Sequence, residues 1–294
     1  MTSSCRWSSL FLELIRRTAC DLPSDVERAL KRLRRREPAE SHSRWVLDTL
    51  LANVRLAREG QRPLCQDTGA PHFYLTLPPG LDERPLVEAA QRAVAAATRA
   101  GFLRRNTIST LTGREVADNR GEGLPDFHIE RHSTSTIEIW LLLKGGGSEN
   151  VSRQYALPEP SLGAQRDWGG VRACVLDALV RAQGMGCPPA ILGVCVGGDR
   201  ASGYLQARRQ LLRPLDEPSP VPLLARFERE WLRDAERLGI GPMGFGGRGA
   251  VMGLKIGWLD RLPASFFVSI AYMCWACRRR GFQARRDGSG VRWQ

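Results

Sequence analysis

Long hydrophobic runs are missing from this 294-residue chain. No apolar stretch reaches the roughly 20 residues needed to span a bilayer. Near the N-terminus, Leu10-Phe11-Leu12 is cut short by Glu13, which leaves no apolar core for a secretory leader. Low-complexity tracts and internal repeats are also absent, which excludes a disordered chain and a repeat array. Lysine is scarce: Lys31, Lys144 and Lys255 are the only lysines among the 43 basic residues, and the rest are arginines. Zinc-finger spacings and other nucleic-acid motifs are lacking too. The formal charge of +12 therefore reads as general surface charge rather than a phosphate-tracking patch. Its two clusters, Lys31–Arg36 and Arg278–Arg280, are expected to be solvated helix faces. Nucleic acid and membrane are not expected partners.

Eight cysteines (5, 20, 65, 174, 187, 195, 274 and 277) in a chain this long do not form a disulfide scaffold. The only close-set pair is Cys274-Trp-Ala-Cys277, a lone CxxC without a second. Reduced thiols and a cytoplasmic location are the expectation.

The first 60 residues read as helices. Ser24-Asp-Val-Glu27 is a capping box that opens a helix to about Arg36. A second helical pattern carries Trp45, Leu47, Leu50, Leu51, Val54 and Leu56. The texture then changes. Arg62–Gly69 is a loop by composition, His72–Leu77 alternates as a short strand, and Arg84–Ala100 is an alanine-rich helix. Thr112–Pro125 reads as loop, and Thr136–Leu143 as a strand that runs into the glycine turn Lys144–Asn150. A helix over Trp168–Gln183 precedes Gly186-Cys-Pro-Pro189 and the buried-strand run Ile191–Val196. Asp199–Leu212 and Leu223–Leu238 are helical. The glycine-rich Gly239–Gly247 is followed by strand-like stretches to Tyr272. Helices and strands intermix without regular alternation, so the expected class is α+β: N-terminal helices, then a mixed β-sheet core flanked by helices. No linker divides the chain. One domain over 1–294 is expected, with a helical part at 1–60 and the core at 61–280.

Glycine, cysteine and polar residues concentrate in the loops, where binding sites usually lie. Cys65, Cys187 and Cys274 each sit in or beside such a loop. Three thiolates drawn from distant positions suit an iron–sulfur cluster with one iron left open, and an open iron is a Lewis acid. The competing reading makes each a small buried hydrophobe. Asp67 is a ready turn former in this loop. Glycines 145–147 allow close backbone approach and present N–H groups to an anion.

Five motifs occur in one order: Pro63-Leu-Cys-Gln-Asp-Thr-Gly69, Lys144-Gly-Gly-Gly-Ser-Glu-Asn150, Cys187-Pro-Pro189, Leu238-Gly-Ile-Gly-Pro-Met-Gly244 and Cys274-Trp-Ala…Arg278-Arg279. In this order they resemble the α subunit of class I iron–sulfur fumarases and L(+)-tartrate dehydratases, from about Leu50 to Arg280. The resemblance implies a [4Fe–4S] cluster held by Cys65, Cys187 and Cys274, with its loops on one side of the core. Cys277 is then no ligand, Cys195 belongs to the core, and Cys5, Cys20 and Cys174 fall on helices. Gln66 and Asp67 would contact substrate. Arg104 in Phe102-Leu-Arg-Arg-Asn106 would grip a carboxylate with its guanidinium fork; Arg105 is a rival by one position, and a plain helix-end cation is the alternative. Gly146 would line the substrate site. The implied reaction is reversible hydration of a C4 dicarboxylate, fumarate to malate, with L(+)-tartrate dehydration as the alternative.

The sequence departs from the family at two places. The usual Asn-Thr-Gly-x-Asn segment reads Glu115-Val-Ala-Asp-Asn119, which keeps Asn119 and the later Gly121 and Gly123. A histidine twelve residues before the third cysteine is replaced by Leu262, and none of His42, His72, His128 and His132 obviously stands in for it. These departures motivate a further alternative, a catalytically weakened or structural subunit. Only 20 residues follow Cys274, so the resemblance implies a separate β subunit that carries the base. This chain would hold no catalytic residue of its own and would act within a hetero-oligomer.

Overall fold

The computed structural model describes residues Ser3–Gln294, with side chains from Cys5 onward. The fold is α+β, with its strands in two mixed sheets. The chain divides into two compact units. One comprises Met1–Pro23, Asn53–Gly146 and Arg278–Gln294; the other comprises Ser24–Ala52 and Gly147–Cys277. The path enters and leaves each unit more than once, and two of its crossings fall inside helices. That is why no composition break marks the division. Among the described residues, no helix is long and apolar enough to cross a membrane.

The first unit is built on a five-stranded sheet. Its strands are β1 (Ala70–Leu77), β2 (Asp126–Arg131), β3 (Ile137–Lys144), β8 (Arg278–Ala284) and β9 (Arg292–Trp293), in the order β2-β1-β3-β8-β9. β1 and β2 run parallel and the other pairs antiparallel. Alternation along each strand decides the two faces. Phe73, Leu75 and Leu77 share one face with Ile139, Leu141, Leu143 and Phe282. There they bury against α1 (Ser3–Cys20) and α4 (Arg84–Arg99) through Phe11, Leu14, Ala90 and Val94. Phe11 meets Phe73 edge-on at 5.5 Å, and Phe73 stacks on Phe127 at 5.3 Å.

The second unit holds the sheet β4-β7-β5-β6, formed by β4 (Arg153–Ala156), β5 (Ala190–Val196), β6 (Val251–Trp258) and β7 (Phe267–Met273). Every residue of β5 is buried, as its unbroken apolar run requires. The helices α6 (Trp168–Ala182), α7 (Arg200–Gln210) and α8 (Pro222–Glu236) belong to this unit. Trp168, Phe227 and Trp231 form an aromatic cluster between α6 and α8. Helix α2 (Ser24–Arg36) buries Val26, Ala29, Leu30 and Leu33, one face at helical spacing. Helix α3 (His42–Gly60) contains one of the crossing points between the units.

The expected helices and strands occur close to their expected bounds, with three differences. The glycine turn is a single helical turn, α5 (Gly146–Asn150). Strands β2, β4, β8 and β9 were not anticipated. The two basic clusters also part company. Lys31–Arg36 is a helix face, as expected, laced by ion pairs to Glu27, Asp216, Asp48 and Glu236. Arg278–Arg280 opens a strand, and Arg278 and Arg279 are only 1% and 3% exposed. That part of the solvated-helix reading is wrong, because local acceptors replace water. Arg278 donates to the Asp67 carbonyl, and Arg280 to Asp21 and the Leu22 carbonyl. Two of the three lysines, Lys144 and Lys255, are buried as well. Lys255 donates to the carbonyls of Leu215 and Glu217.

Glu228 shows how buried charge is accommodated. Its carboxylate accepts from Arg213 at 2.8 Å and from the backbone N–H groups of Ile256 and Ser219 at 2.9 and 3.1 Å. Removing one partner of such a buried pair leaves the other charge uncompensated. Glu228→Ala is expected to lower the unfolding free energy of the full chain by about 3–5 kcal/mol, read from urea melts.

Candidate functional site

In the first unit the site residues gather around Asp67. The loop Pro63–Gly69 leads into β1, and Cys65 lies half-buried within it. Asp67 Oδ1 accepts the Gly69 N–H at 2.9 Å, which closes the turn. Oδ2 accepts the Gly146 N–H at 2.8 Å. The Asp67 carbonyl takes a 2.5 Å bond from Arg278. A Cβ at position 145 would lie 2.7 Å from Asp67 Oδ2, so any larger residue there would displace this carboxylate. The anion expected against glycines 145–147 is thus met, at Gly146, by the chain's own carboxylate.

Beside this knot runs the segment 103–107. The Arg104 backbone N–H donates to Thr68 Oγ1 at 3.1 Å, and its guanidinium reaches the Gln66 carbonyl at 3.3 Å. Gln66, Arg104 and Arg105 have exposed side chains. Asn119, the residue kept from the altered loop, is buried at φ +60°, a conformation that asparagine tolerates. Its Oδ1 accepts the N–H groups of Asn106 and Thr107, while Nδ2 donates to Thr98 Oγ1 and the Arg104 carbonyl. Asn119 therefore fixes the backbone that presents Arg104.

In the second unit the remaining motifs interlock through backbone hydrogen bonds. The Trp275 N–H donates to the Cys187 carbonyl at 3.1 Å, and the Met243 N–H to the Pro188 carbonyl at 2.8 Å. Ser148, buried in the turn α5, accepts the Cys274 N–H at 3.1 Å. Ser152, one turn on, accepts that of Tyr272 at 3.0 Å. Gly186 lies against the Tyr272 ring, where a Cβ would come within 2.4 Å of a ring carbon. Only glycine lets the Cys187 loop pack that closely. Burial pushes the Tyr272 phenol above its ordinary range, and Cys274 and Cys187 add to the shift.

Burial sorts the eight cysteines. Cys5 and Cys187 are exposed, Cys65 and Cys274 half-buried, and Cys20, Cys174, Cys195 and Cys277 buried. Desolvation pushes Cys20 up to about 11 and Cys174 and Cys195 up to about 12, which disfavours the thiolate needed to bind metal. Of the motif cysteines, Cys187 is exposed and Cys65 and Cys274 are half-buried; Cys195, expected in the core, is buried, as are Cys20, Cys174 and Cys277, whereas Cys5 is exposed. Leu262 is 74% exposed on a loop.

One grouping was missed in the sequence. His72 and His128 meet at Asp126, forming a set that could hold a metal ion. The signal was the alternation of polar residues along two short strands, of which β2 went unseen.

Comparison with known proteins follows the same motifs. The sequence model of the family described as Fumarate hydratase (Fumerase) matches residues 8–283. A putative fumarate hydratase class I from Geobacillus stearothermophilus is 42% identical over 285 residues, covering 96% of this chain and 55% of that protein. The chain thus spans about half of that relative's length. A putative L(+)-tartrate dehydratase subunit alpha from Methanocaldococcus jannaschii is 34% identical, with 92% of this chain and 95% of that protein aligned. The L(+)-tartrate dehydratase subunit alpha of Escherichia coli K12 is 31% identical, with 88% and 84% aligned.

Two outcomes are expected from this geometry. Asn119→Ala strands two backbone N–H groups and a carbonyl, and should cost about 2–4 kcal/mol of stability in urea melts. Alkylation of the folded chain at pH 8, mapped by mass spectrometry, should label Cys5, Cys65, Cys187 and Cys274 well ahead of Cys20, Cys174, Cys195 and Cys277.

Proposed function

Because this chain belongs to the fumarate hydratase (Fumerase) family, we propose that it is the α part of a hydro-lyase acting on a C4 dicarboxylate, with fumarate and malate as the preferred pair. One observation carries this reading: Cys65, Cys187 and Cys274 in the motif loops are half-buried or exposed, whereas burial disfavours the thiolates of Cys20, Cys174 and Cys195. Cys65, Cys187 and Cys274 are the proposed ligands of a [4Fe–4S] cluster. When bound, such a cluster supplies an iron without a protein ligand, a Lewis acid for a substrate hydroxyl and carboxylate.

The chain's own residues bind and orient. The exposed Arg104 guanidinium offers a two-pronged donor to a substrate carboxylate. Its link to the Gln66 carbonyl ties it to the Cys65 loop, and this favours Arg104 over Arg105. Gln66 presents an exposed amide beside it. Asp67 acts chiefly by holding Gly146 in place, so that the glycine backbone lines the substrate site. The base that removes the C3 proton is assigned to a separate β subunit in a cytoplasmic hetero-oligomer.

L(+)-tartrate dehydration is the second reading, on the names of the two α-subunit relatives. The higher identity to the fumarate hydratase relative favours fumarate and malate. An exposed Leu262, which can neither donate nor accept a proton, favours a slower enzyme than a histidine there would give.

The test is turnover by the anaerobically reconstituted αβ complex. Malate dehydration should exceed that of L(+)-tartrate, the reverse order would select the second reading, and turnover of neither would overturn both. Gly145→Ala pushes Asp67 off Gly146 and should lower kcat/KM by about 100-fold, with the cluster absorbance retained.

A further inference from the structure

β1 and β2 lie side by side in parallel, with His72 opposite Asp126 and Tyr74 opposite His128. Alternation places these four residues on one face of the sheet, away from the face on which Phe73 and Phe127 stack. A single oxygen, Asp126 Oδ2, lies 2.9 Å from His72 Nδ1 and 2.9 Å from His128 Nε2. The three ligand atoms fall within 4.8 Å of one another. The side chains are mostly withdrawn from water, at 10% exposure for His72, 29% for Asp126 and 18% for His128. The Tyr74 ring packs 4.8 Å from that of His128 and limits its rotation.

We propose that His72, Asp126 and His128 form a binding site for a divalent first-row transition metal that clips β2 to β1. Two imidazoles and one carboxylate form a donor set for zinc, cobalt or iron(II). Magnesium and calcium prefer oxygen alone, and an iron–sulfur cluster requires thiolates. Zinc with ligands at about 2.0–2.2 Å holds them roughly 3.3 Å apart when tetrahedral. The two 2.9 Å separations need to open slightly, and the imidazole nitrogens, within 4.8 Å of each other, need to draw together. Three protein ligands leave a fourth position for water. β2 is an edge strand, and among the described residues its only sheet neighbour is β1. Ligands from both strands would add a second tie to the backbone ladder, and binding energy at a folded-state site appears directly as stability. This site uses no cysteine and does not depend on the hydro-lyase reading.

The experiment titrates Zn²⁺ and Co²⁺ into the full chain and into its Cys65→Ser/Cys187→Ser/Cys274→Ser variant. One equivalent should bind the triple variant, and at least one the full chain. The cobalt form of the triple variant should show visible ligand-field bands without sulfur charge transfer, and Zn²⁺ should raise its Tm. In that background His128→Gln and the near-isosteric Asp126→Asn should each weaken binding about 10-fold or more, while His132→Gln leaves it unchanged. Circular dichroism confirms that each variant is folded. A folded triple variant that binds no metal would overturn the proposal, and so would an affinity that both ligand substitutions leave intact.

Discussion

The Asp67 carboxylate organises the motif loops of the first unit. One oxygen closes its own turn, and the other reaches the Gly146 N–H at the far end of β3. A carboxylate has several acceptor positions, and backbone N–H donors placed on two of them fix its orientation. Gly145 leaves the space that this bond needs, and Arg278 holds the Asp67 carbonyl from the neighbouring strand. Cys65, two residues before Asp67, therefore leaves the fold from a loop pinned at three points. A site residue on a loop needs such support, since a loop alone does not hold geometry.

The second unit solves the same problem with hydroxyls and carbonyls. Ser148 and Ser152, one helical turn apart, accept the N–H groups of Cys274 and Tyr272. The Cys187 carbonyl accepts from Trp275, next to Cys274. Each motif that contributes a cysteine is thus held by a residue from another motif. This is a physical reason for the motifs to occur together, and it requires no ligand.

Arginine performs a structural task here that the charge count conceals. Arg280 is pushed below its ordinary pKa by burial, with Asp21 opposing the shift, and it also donates to the Leu22 carbonyl. A planar fork with five donors can satisfy several acceptors lying in one plane from one buried position. Part of the basic excess is consequently internal. The Lys31–Arg36 face is neutralised by acidic neighbours within its own unit.

Most helices, strands β1, β3 and β5, and the motif loops could be read in the chain directly, because periodicity, capping and turn chemistry are local properties. So could the separation of Cys195 and Cys174 from the loop cysteines, since each lies in a visibly apolar strand or helix. Strand β8 was hidden: three arginines in a row look solvated until Asp67, Asp21 and the Leu22 carbonyl are brought to them. Asn119 looked like a remnant of an altered loop, and its four hydrogen bonds to Thr98, Arg104, Asn106 and Thr107 depend on chain return. The pairing of His72 with Asp126 depends on the register of two parallel strands separated by the long stretch that contains α4. Residue type and local pattern decided which side chains could do chemistry. Long-range pairing decided which of them meet and which are spent holding the backbone, because hydrogen-bond partners distant in sequence are chosen only when the chain folds.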